Sequence, residues 1–531
     1  MEEFPKSTNE QTKMEIEELS QDRINFKLSL RKKKFNDMLI KKRIFPSKPE
    51  DSPWPLELFL SNLKLPADYK IIFAKEDEFL STAFKSIKSE DILNVKYGIC
   101  LFKNYITYYT SDYNKLFFNL NINFISDLLN LLEKWGSKKE KQIVFNILYI
   151  MTNYSYLNTN KKISKILLSS KGYKIWDLCF DLQDYEIMSQ MIWVLDNIIY
   201  EDDESSYNLL KSNFFQKKII YFYSNKSILR HLNENNQNNL FFFIIIERGI
   251  GLLTNLLSTE SSSTFHKEEK YKLSLPVFNL ILKYSESNSK NIFHSCVYSI
   301  NRAINDEPRL IPLIDNSNLL NDILNKKFFS EDKIVLNCNR IIGDYIANQS
   351  NLSKDFYDKC VNYEMDILFG AKMSKLIIEI YWVLSNVIHD NRISAENICK
   401  SEAFIDKTIN IYKNSVDLNN IRNMSYFFVN LVACVNVNTF IKLVNKGLVD
   451  IVLNFAKNNF EESNKVKDLF ELIEICLENG KYMQDNFQDK NIIKEKCDNY
   501  GLIDILRNYE EGDNEELNVI INNILSEYYN Q

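Results

Sequence analysis

Seven times along the chain an anchor residue is followed four positions later by Asn or Asp inside an apolar run. The pairs are Tyr149/Asn153, Trp193/Asn197, Gly251/Asn255, Val297/Asn301, Arg340/Asp344, Trp382/Asn386 and Tyr426/Asn430. Successive anchors lie 44, 58, 46, 43, 42 and 44 residues apart, and the one long interval holds the polar stretch "HLNENNQNN" at 231–239, which reads as a loop. A period of that size is the mark of a repeat array, in which each unit buries its apolar face against its neighbours. A weaker repeat places Gly ahead of a helical pattern in "KGYKIWDLCF" (Gly172), "KGLVDIVLNF" (Gly447) and "YGLIDILRNY" (Gly501).

Only 11 Gly and 9 Pro punctuate 531 residues, too few for the turns of a strand-rich chain. Apolar residues recur at three and four spacing instead, as in "VKDLFELIEICLENG", which predicts helix. The expected architecture is an all-α solenoid of about nine or ten repeats of armadillo or HEAT size. The run "LFFFIII" at 240–246 stops at Glu247-Arg248, too short to span a bilayer, and reads as helix core. The acidic, polar "MEEFPKSTNEQ" start is no signal peptide. Nine cysteines stand singly with no metal-ligand spacing, which argues for reduced thiols and against zinc.

Charge divides the chain. Between Arg23 and Arg43 nine Lys or Arg face one acid, Asp37, so this segment carries +8; taking it from the net −6 leaves about −14 for the rest. Residues 1–22 read as disordered and 23–45 as a flexible arm with a short basic amphipathic helix. The Pro-rich "PSKPEDSPWP" that follows gives a linker at 46–55, and 56–531 is the repeat body.

Residues four apart share a helix face, so each anchor and its amide point the same way. Stacked helices about 8–10 Å apart would align these pairs into a groove. Asn amides can both donate to and accept from the backbone of an extended peptide. Between aromatic faces the stems of Lys or Arg would lie, drawn by cation–π attraction of roughly 0.5–2 kcal/mol. Acids at the groove edge, such as those in "EDDE" at 201–204, would meet the charged heads.

These features together resemble the importin-α (karyopherin-α) family, nearly end to end. That family carries W-x-x-x-N on the third helix of successive armadillo repeats. Its arm commonly contains a stretch like "LRKAKRDEALAKRRNF", which aligns without gaps to "LRKKKFNDMLIKKRIF" at 30–45. Its "RAIGN" corresponds to "RIIGD" at 340–344, and its last repeat is similar to "IKEKCDNYGLIDILRNYEEGDNEELNVIINNILSEYY". The resemblance implies a right-handed armadillo solenoid and a nuclear import adaptor shuttling between cytoplasm and nucleus. Basic localisation signals of cargo proteins would bind a major site at Tyr149, Asn153, Trp193, Asn197, Glu201 and Asn255. A minor site would comprise Arg340, Asp344, Trp382, Asn386, Tyr426 and Asn430. The arm residues Arg31, Lys32, Lys33, Lys34, Lys41, Lys42 and Arg43 would bind importin-β, and would fold back to autoinhibit the groove without it. An exportin of the recycling type would take the carboxyl-terminal repeats near 480–531. Gly251 and Val297 stand where the family usually has Trp, and Asn423 where it often has Glu. The arm's first half retains only Arg23 and Lys27.

Neither a P-loop, a G-x-S-x-G, an H-E-x-x-H nor a dinucleotide fingerprint occurs, so no enzyme activity, cofactor or metal is expected. His231, His266, His294 and His389 are isolated. The acidic body argues against direct nucleic-acid binding, and membrane insertion is not expected. The competing reading is an armadillo scaffold without import activity, or a degenerate paralogue with restricted cargo.

Overall fold

The computed structural model describes residues 76–108, 123–155, 162–200, 202–225, 228, 240–257, 267–326, 331–349, 352–389, 391–458, 466–487, 490–510 and 515–529. The basic arm, the Pro-rich linker, Glu201 and the loop at 231–239 lie outside the described residues. Everything described is helix or helix connection, as the periodicity predicts, with no strand among the described residues. The chain divides into two compact units, Met1–Leu280 and Ile281–Gln531. The division falls within helix Lys267–Ser285, which contains Pro276. Proline there cannot donate to the carbonyl of Lys272.

Each unit is built on a row of helices packed side by side in chain order. In the first unit the row is α1 (Ile92–Tyr108), α2 (Lys141–Ser155), α3 (Tyr185–Ile199) and α4 (Leu240–Leu257). In the second it is α5 (Lys290–Asp306), α6 (Asp332–Asn348), α7 (Ser374–Ile388), α8 (Leu418–Cys434), α9 (Lys467–Phe487) and α10 (Glu515–Tyr529). All seven anchor pairs fall on row helices, α2 to α8 in order. Four row helices are followed by an Asx-capped helix of nine residues, with Asp202, Asn391, Asn436 and Asn491 as caps. Such caps satisfy backbone N–H groups that the first helical turn leaves unpaired. A further helix then returns the chain to the row, for example Glu402–Lys413 before α8.

The Gly-led repeat resolves into two kinds. Gly447 and Gly501 have φ of +91° and +73° and precede helices Leu448–Asn458 and Leu502–Glu510. A side chain is strained in that conformation. Gly172 lies instead inside helix Ser170–Asp181, where an added Cβ would collide with the carbonyl of Leu167.

Aromatic packing fills both cores. Phe84, Phe102, Phe124 and Tyr154 form a chain of ring contacts in the first unit with centroids 4.8–5.8 Å apart. Tyr381, Phe427, Phe428, Tyr412 and Phe455 do so in the second at 5.2–5.3 Å. Fully burying one such ring contributes about 1.5–3 kcal/mol. Their hydroxyls are placed: Tyr381 donates to Thr408 Oγ1 at 3.2 Å, and Tyr412 shares a 2.7 Å bond with Ser425.

The core of the second unit also holds a fully buried acid. Glu364, on helix Lys354–Gly370, is fully buried; Asn339 Nδ2 on α6 donates to its Oε2 at 2.8 Å, and Tyr363 Oη donates to Asn339 Oδ1 at 3.0 Å. Burial pushes this carboxyl well above the usual carboxylate range, with repulsion from Glu379 adding and the Asn339 bond opposing. The unfolded chain releases the same proton in the ordinary range. The contribution to stability is therefore complete in acid and is lost as pH rises through the folded pKa. Glu364→Gln should gain in melting temperature relative to the parent as pH goes from about 5 to about 8. A difference that stays constant with pH would show that Glu364 is ionised in the fold.

Candidate functional site

Several ladder residues tie neighbouring row helices together. In the first unit Asn197 of α3 reaches back to α2, where its Nδ2 donates to Thr152 O at 2.8 Å and Ser155 Oγ at 3.3 Å. Asn255 of α4 donates to the Asp196 carboxylate of α3. In the second unit Asn386 of α7 donates to Gly343 O of α6 at 3.3 Å. Thr152, Asp196 and Gly343 each stand one residue before the amide or acid position of the preceding rung. The spacing of the repeats thus brings each of these Asn residues onto the same point of its neighbour. Asn301 instead meets Asn337 Oδ1 at 3.3 Å, and Asn153 bonds its own helix at Tyr149 O, 2.8 Å.

The anchors sort by exposure. Tyr149, Trp193, Arg340, Trp382 and Tyr426 are half-buried, whereas Val297 is buried core at 1% exposure. Off the ladder, Trp135 and Trp176 are core at 3% and 0%. Trp382 is seated by Gly343, where a Cβ would collide with the six-membered ring of the indole. At Gly251, by contrast, a Cβ would meet only Asp196 Oδ2, in ordinary contact at 3.8 Å.

Three cations on the row helices were not singled out by the sequence reading. Arg248 of α4 lies over the Trp193 ring with its guanidinium carbon 4.0 Å from the centroid, and its Nη1 donates to Ser189 Oγ at 2.7 Å. Burial lowers the pKa of Arg248 to about 10, and Asp196 opposes that shift. Lys103 of α1 has its amine 4.8 Å from the Tyr149 ring centroid and donates to Asn146 Oδ1 at 2.7 Å. It stands 46 residues before Tyr149, one ladder period, although Thr107 rather than Asn or Asp follows four positions later. Burial lowers its pKa to about 8. In the second unit Arg340 is paired with buried Glu379 at 3.0 Å, and Arg422 of α8 with buried Asp468 at 3.0 Å.

The acidic cluster is only partly a groove-edge feature. Asp202 is buried, caps helix Asp203–Lys211 and accepts from Ser205 Oγ at 2.6 Å and Ser164 Oγ at 3.1 Å. Asp203 is 3.9 Å from Lys270, and Glu204 is exposed. Asn423 donates to Asn419 O at 2.6 Å. Two rung amides keep a buried polar atom without a hydrogen-bond partner, Asn197 Oδ1 and Asn430 Nδ2. Among the described residues no cluster of metal-binding side chains occurs, and no helix is long and apolar enough to cross a membrane.

No family model matches the chain, and no curated protein matches it. Its fold is similar to the crystal structure of an engineered protein from the Northeast Structural Genomics Consortium. The TM-score is 0.59 at 11% identity, over 84% of this chain and 97% of the other. A second engineered protein from the same consortium gives a TM-score of 0.36 at 11% identity, over 46% of this chain and 93% of that one. The first likeness is one of helical architecture alone.

Two substitutions test the seating of the rungs. Asn197→Ala removes two cross-helix hydrogen bonds and should lower stability by about 1–3 kcal/mol in urea unfolding. Gly343→Ala should cost about 1–3 kcal/mol and also shift tryptophan fluorescence, because the indole of Trp382 must move. An unchanged spectrum would mean that Trp382 does not rest on Gly343.

Proposed function

We propose that this chain is an armadillo-type nuclear import adaptor that holds extended basic segments of cargo proteins on its Trp/Asn rows and couples them to importin-β through the basic arm at 23–45. The carrying observation is the sorting of tryptophans. The two on the ladder, Trp193 and Trp382, keep part of their indole exposed, while Trp135 and Trp176 off it are fully packed. Leaving an indole half-exposed forgoes burial worth on the order of 1 kcal/mol, a cost that a ligand covering the ring recovers. The one-turn step from anchor to Asn supports the same reading, since it sets a polar clamp beside each flat apolar surface. Three-helix segments such as Arg392–Lys400, Glu402–Lys413 and α8 fit the armadillo type.

The arm supplies regulation in this reading. A segment of +8 tethered to an acidic body has a high effective concentration at any basic-peptide site, so it competes with cargo until importin-β removes it. An exportin gripping the carboxyl-terminal helices would return the adaptor to the cytoplasm.

Fluorescence anisotropy of a labelled basic localisation peptide provides the test. The full chain with Lys41→Ala, Lys42→Ala and Arg43→Ala should bind the peptide at least about tenfold more tightly than the parent, a gain of about 1.4 kcal/mol. Trp382→Ala/Asn386→Ala or Trp193→Ala/Asn197→Ala should abolish binding at whichever row is used. A parent chain that also fails to recover importin-β would leave the transport reading without support.

A further inference from the structure

The row of the second unit continues past the seventh rung, and what it carries next is an acid. Phe470 and Glu474 of α9 stand 44 residues after Tyr426 and Asn430 and repeat the step of four. The packing keeps that register, because Arg422 of α8 pairs at 3.0 Å with Asp468 of α9, 46 positions on. Phe470 is fully buried, so this step offers no aromatic face. It offers a half-buried carboxylate where α7 and α8 carry the amides of Asn386 and Asn430. Glu478 follows one turn further along α9 and is exposed, and Glu527 comes from α10.

These three acids share little positive charge. Burial raises the Glu474 carboxyl, a hydrogen bond from Asn523 opposes the shift, and repulsion from Glu478, Glu471 and Glu527 adds to it. Burial and then Glu527 raise Glu478. No cation enters either balance, since Lys481 pairs with Glu527 at 2.8 Å and Lys467 faces Glu471 at 3.6 Å. Beside the acids stands Tyr528 of α10, 9% exposed, with its ring centroid 5.6 Å from the Lys481 amine and its buried hydroxyl without a hydrogen-bond partner. Glu527, Glu478 and Glu474 all act on that hydroxyl, which places it toward the cluster. A phenol can accept from an ammonium or guanidinium while its own O–H turns to a carboxylate. Resting on the reading just given, we propose that Glu474, Glu478 and Tyr528 form a cation subsite at the end of the second row, taking a lysine or arginine side chain of the bound segment beyond Asn430. Helices about 8–10 Å apart and an extended chain rising about 3.3–3.6 Å per residue put that side chain about three residues past the one at Tyr426. Tyr426 and Asn430 are uncharged, so the selection for charge at this end of the row falls to the acids of α9.

The experiment is anisotropy with a labelled oligolysine peptide and the full chain carrying Lys41→Ala, Lys42→Ala and Arg43→Ala, so that the arm does not compete. In that background Trp382→Ala/Asn386→Ala should abolish binding. Glu474→Gln/Glu478→Gln should weaken it by about tenfold, the scale of two lost charge contacts near a protein surface. Glu402→Gln/Asp504→Asn, which removes the same charge from two exposed positions off the row, should change it by less than about twofold. Tyr528→Phe removes no hydrogen bond from the free protein, so it should leave the melting temperature unlowered while weakening the peptide by about threefold or more. Thermal melts check that each variant is folded, and Glu478→Gln alone, at an exposed position, serves if the double variant is not.

Unchanged affinity in the folded Glu474→Gln/Glu478→Gln protein overturns the proposal. So does equal weakening by Glu402→Gln/Asp504→Asn, which would reduce the effect to the overall charge of the body. Binding lost through Trp193→Ala/Asn197→Ala but kept in Trp382→Ala/Asn386→Ala leaves the adaptor reading standing and overturns this inference. No oligolysine binding by any folded form rejects both.

Discussion

At three rungs, Asn197, Asn255 and Asn386, a hydrogen bond from the rung amide to the helix of the preceding rung ties neighbouring row helices in register. Asparagine is a poor helix former because its side chain competes for backbone groups. Here that competition is turned outward. Asn197 gives its Nδ2 to Thr152 O and Asn386 to Gly343 O, both on a neighbouring helix that carries its own rung. A net gain of about 0.5–1.5 kcal/mol per bond is modest, but leaving such a buried amide without a partner would cost more. The amide therefore selects one register between adjacent helices, in which ridge packing alone would tolerate several neighbours. That register keeps the anchors of successive helices on one side.

The same bond limits what the amides can do for a ligand. Both Nδ2 hydrogens of Asn197 have acceptors within the protein, so its oxygen, now without a partner, is the group left for a peptide N–H. Asn430 has the opposite remainder, an Nδ2 without a partner. A buried atom of this kind reaches a ligand only by rotation of the amide or opening of the neighbouring side chains. In the proposed adaptor, binding at these rungs would draw on interactions that hold the helices in register.

Helical class and the ladder's placement were legible because both rest on period, which survives side-chain divergence. The anchor-to-Asn step put all seven pairs on consecutive row helices, and "LFFFIII" fell inside α4 as expected. What one sequence hid was partner choice. Asp202 stands in an acidic run and read as groove edge, yet its place three positions before Ser205 makes it a cap. Gly343 read as one letter of "RIIGD", and its role as the floor beneath Trp382 depends on a residue 39 positions away. Gly172, Gly447 and Gly501 looked alike because the motif records neighbours along the chain, whereas one answers to a close approach and two to a backbone conformation. Arg248 carried no motif at all; only the packing of α4 on α3 brings it to Trp193.

The two units also treat their own cations differently. In the second, Arg340 and Arg422 each face a carboxylate that is nearly inaccessible to solvent, Glu379 and Asp468, at 3.0 Å. Such pairs set opposite charges against each other, which cancels much of their field at the surface. In the first unit the hydrogen bond from Lys103 ends on the neutral amide of Asn146, and burial lowers its pKa to about 8, so its charge is held at a cost. Arg248 likewise donates to a hydroxyl, with Asp196 shared between it and Asn255. In the first row these two cations sit directly on the aromatic faces of Tyr149 and Trp193.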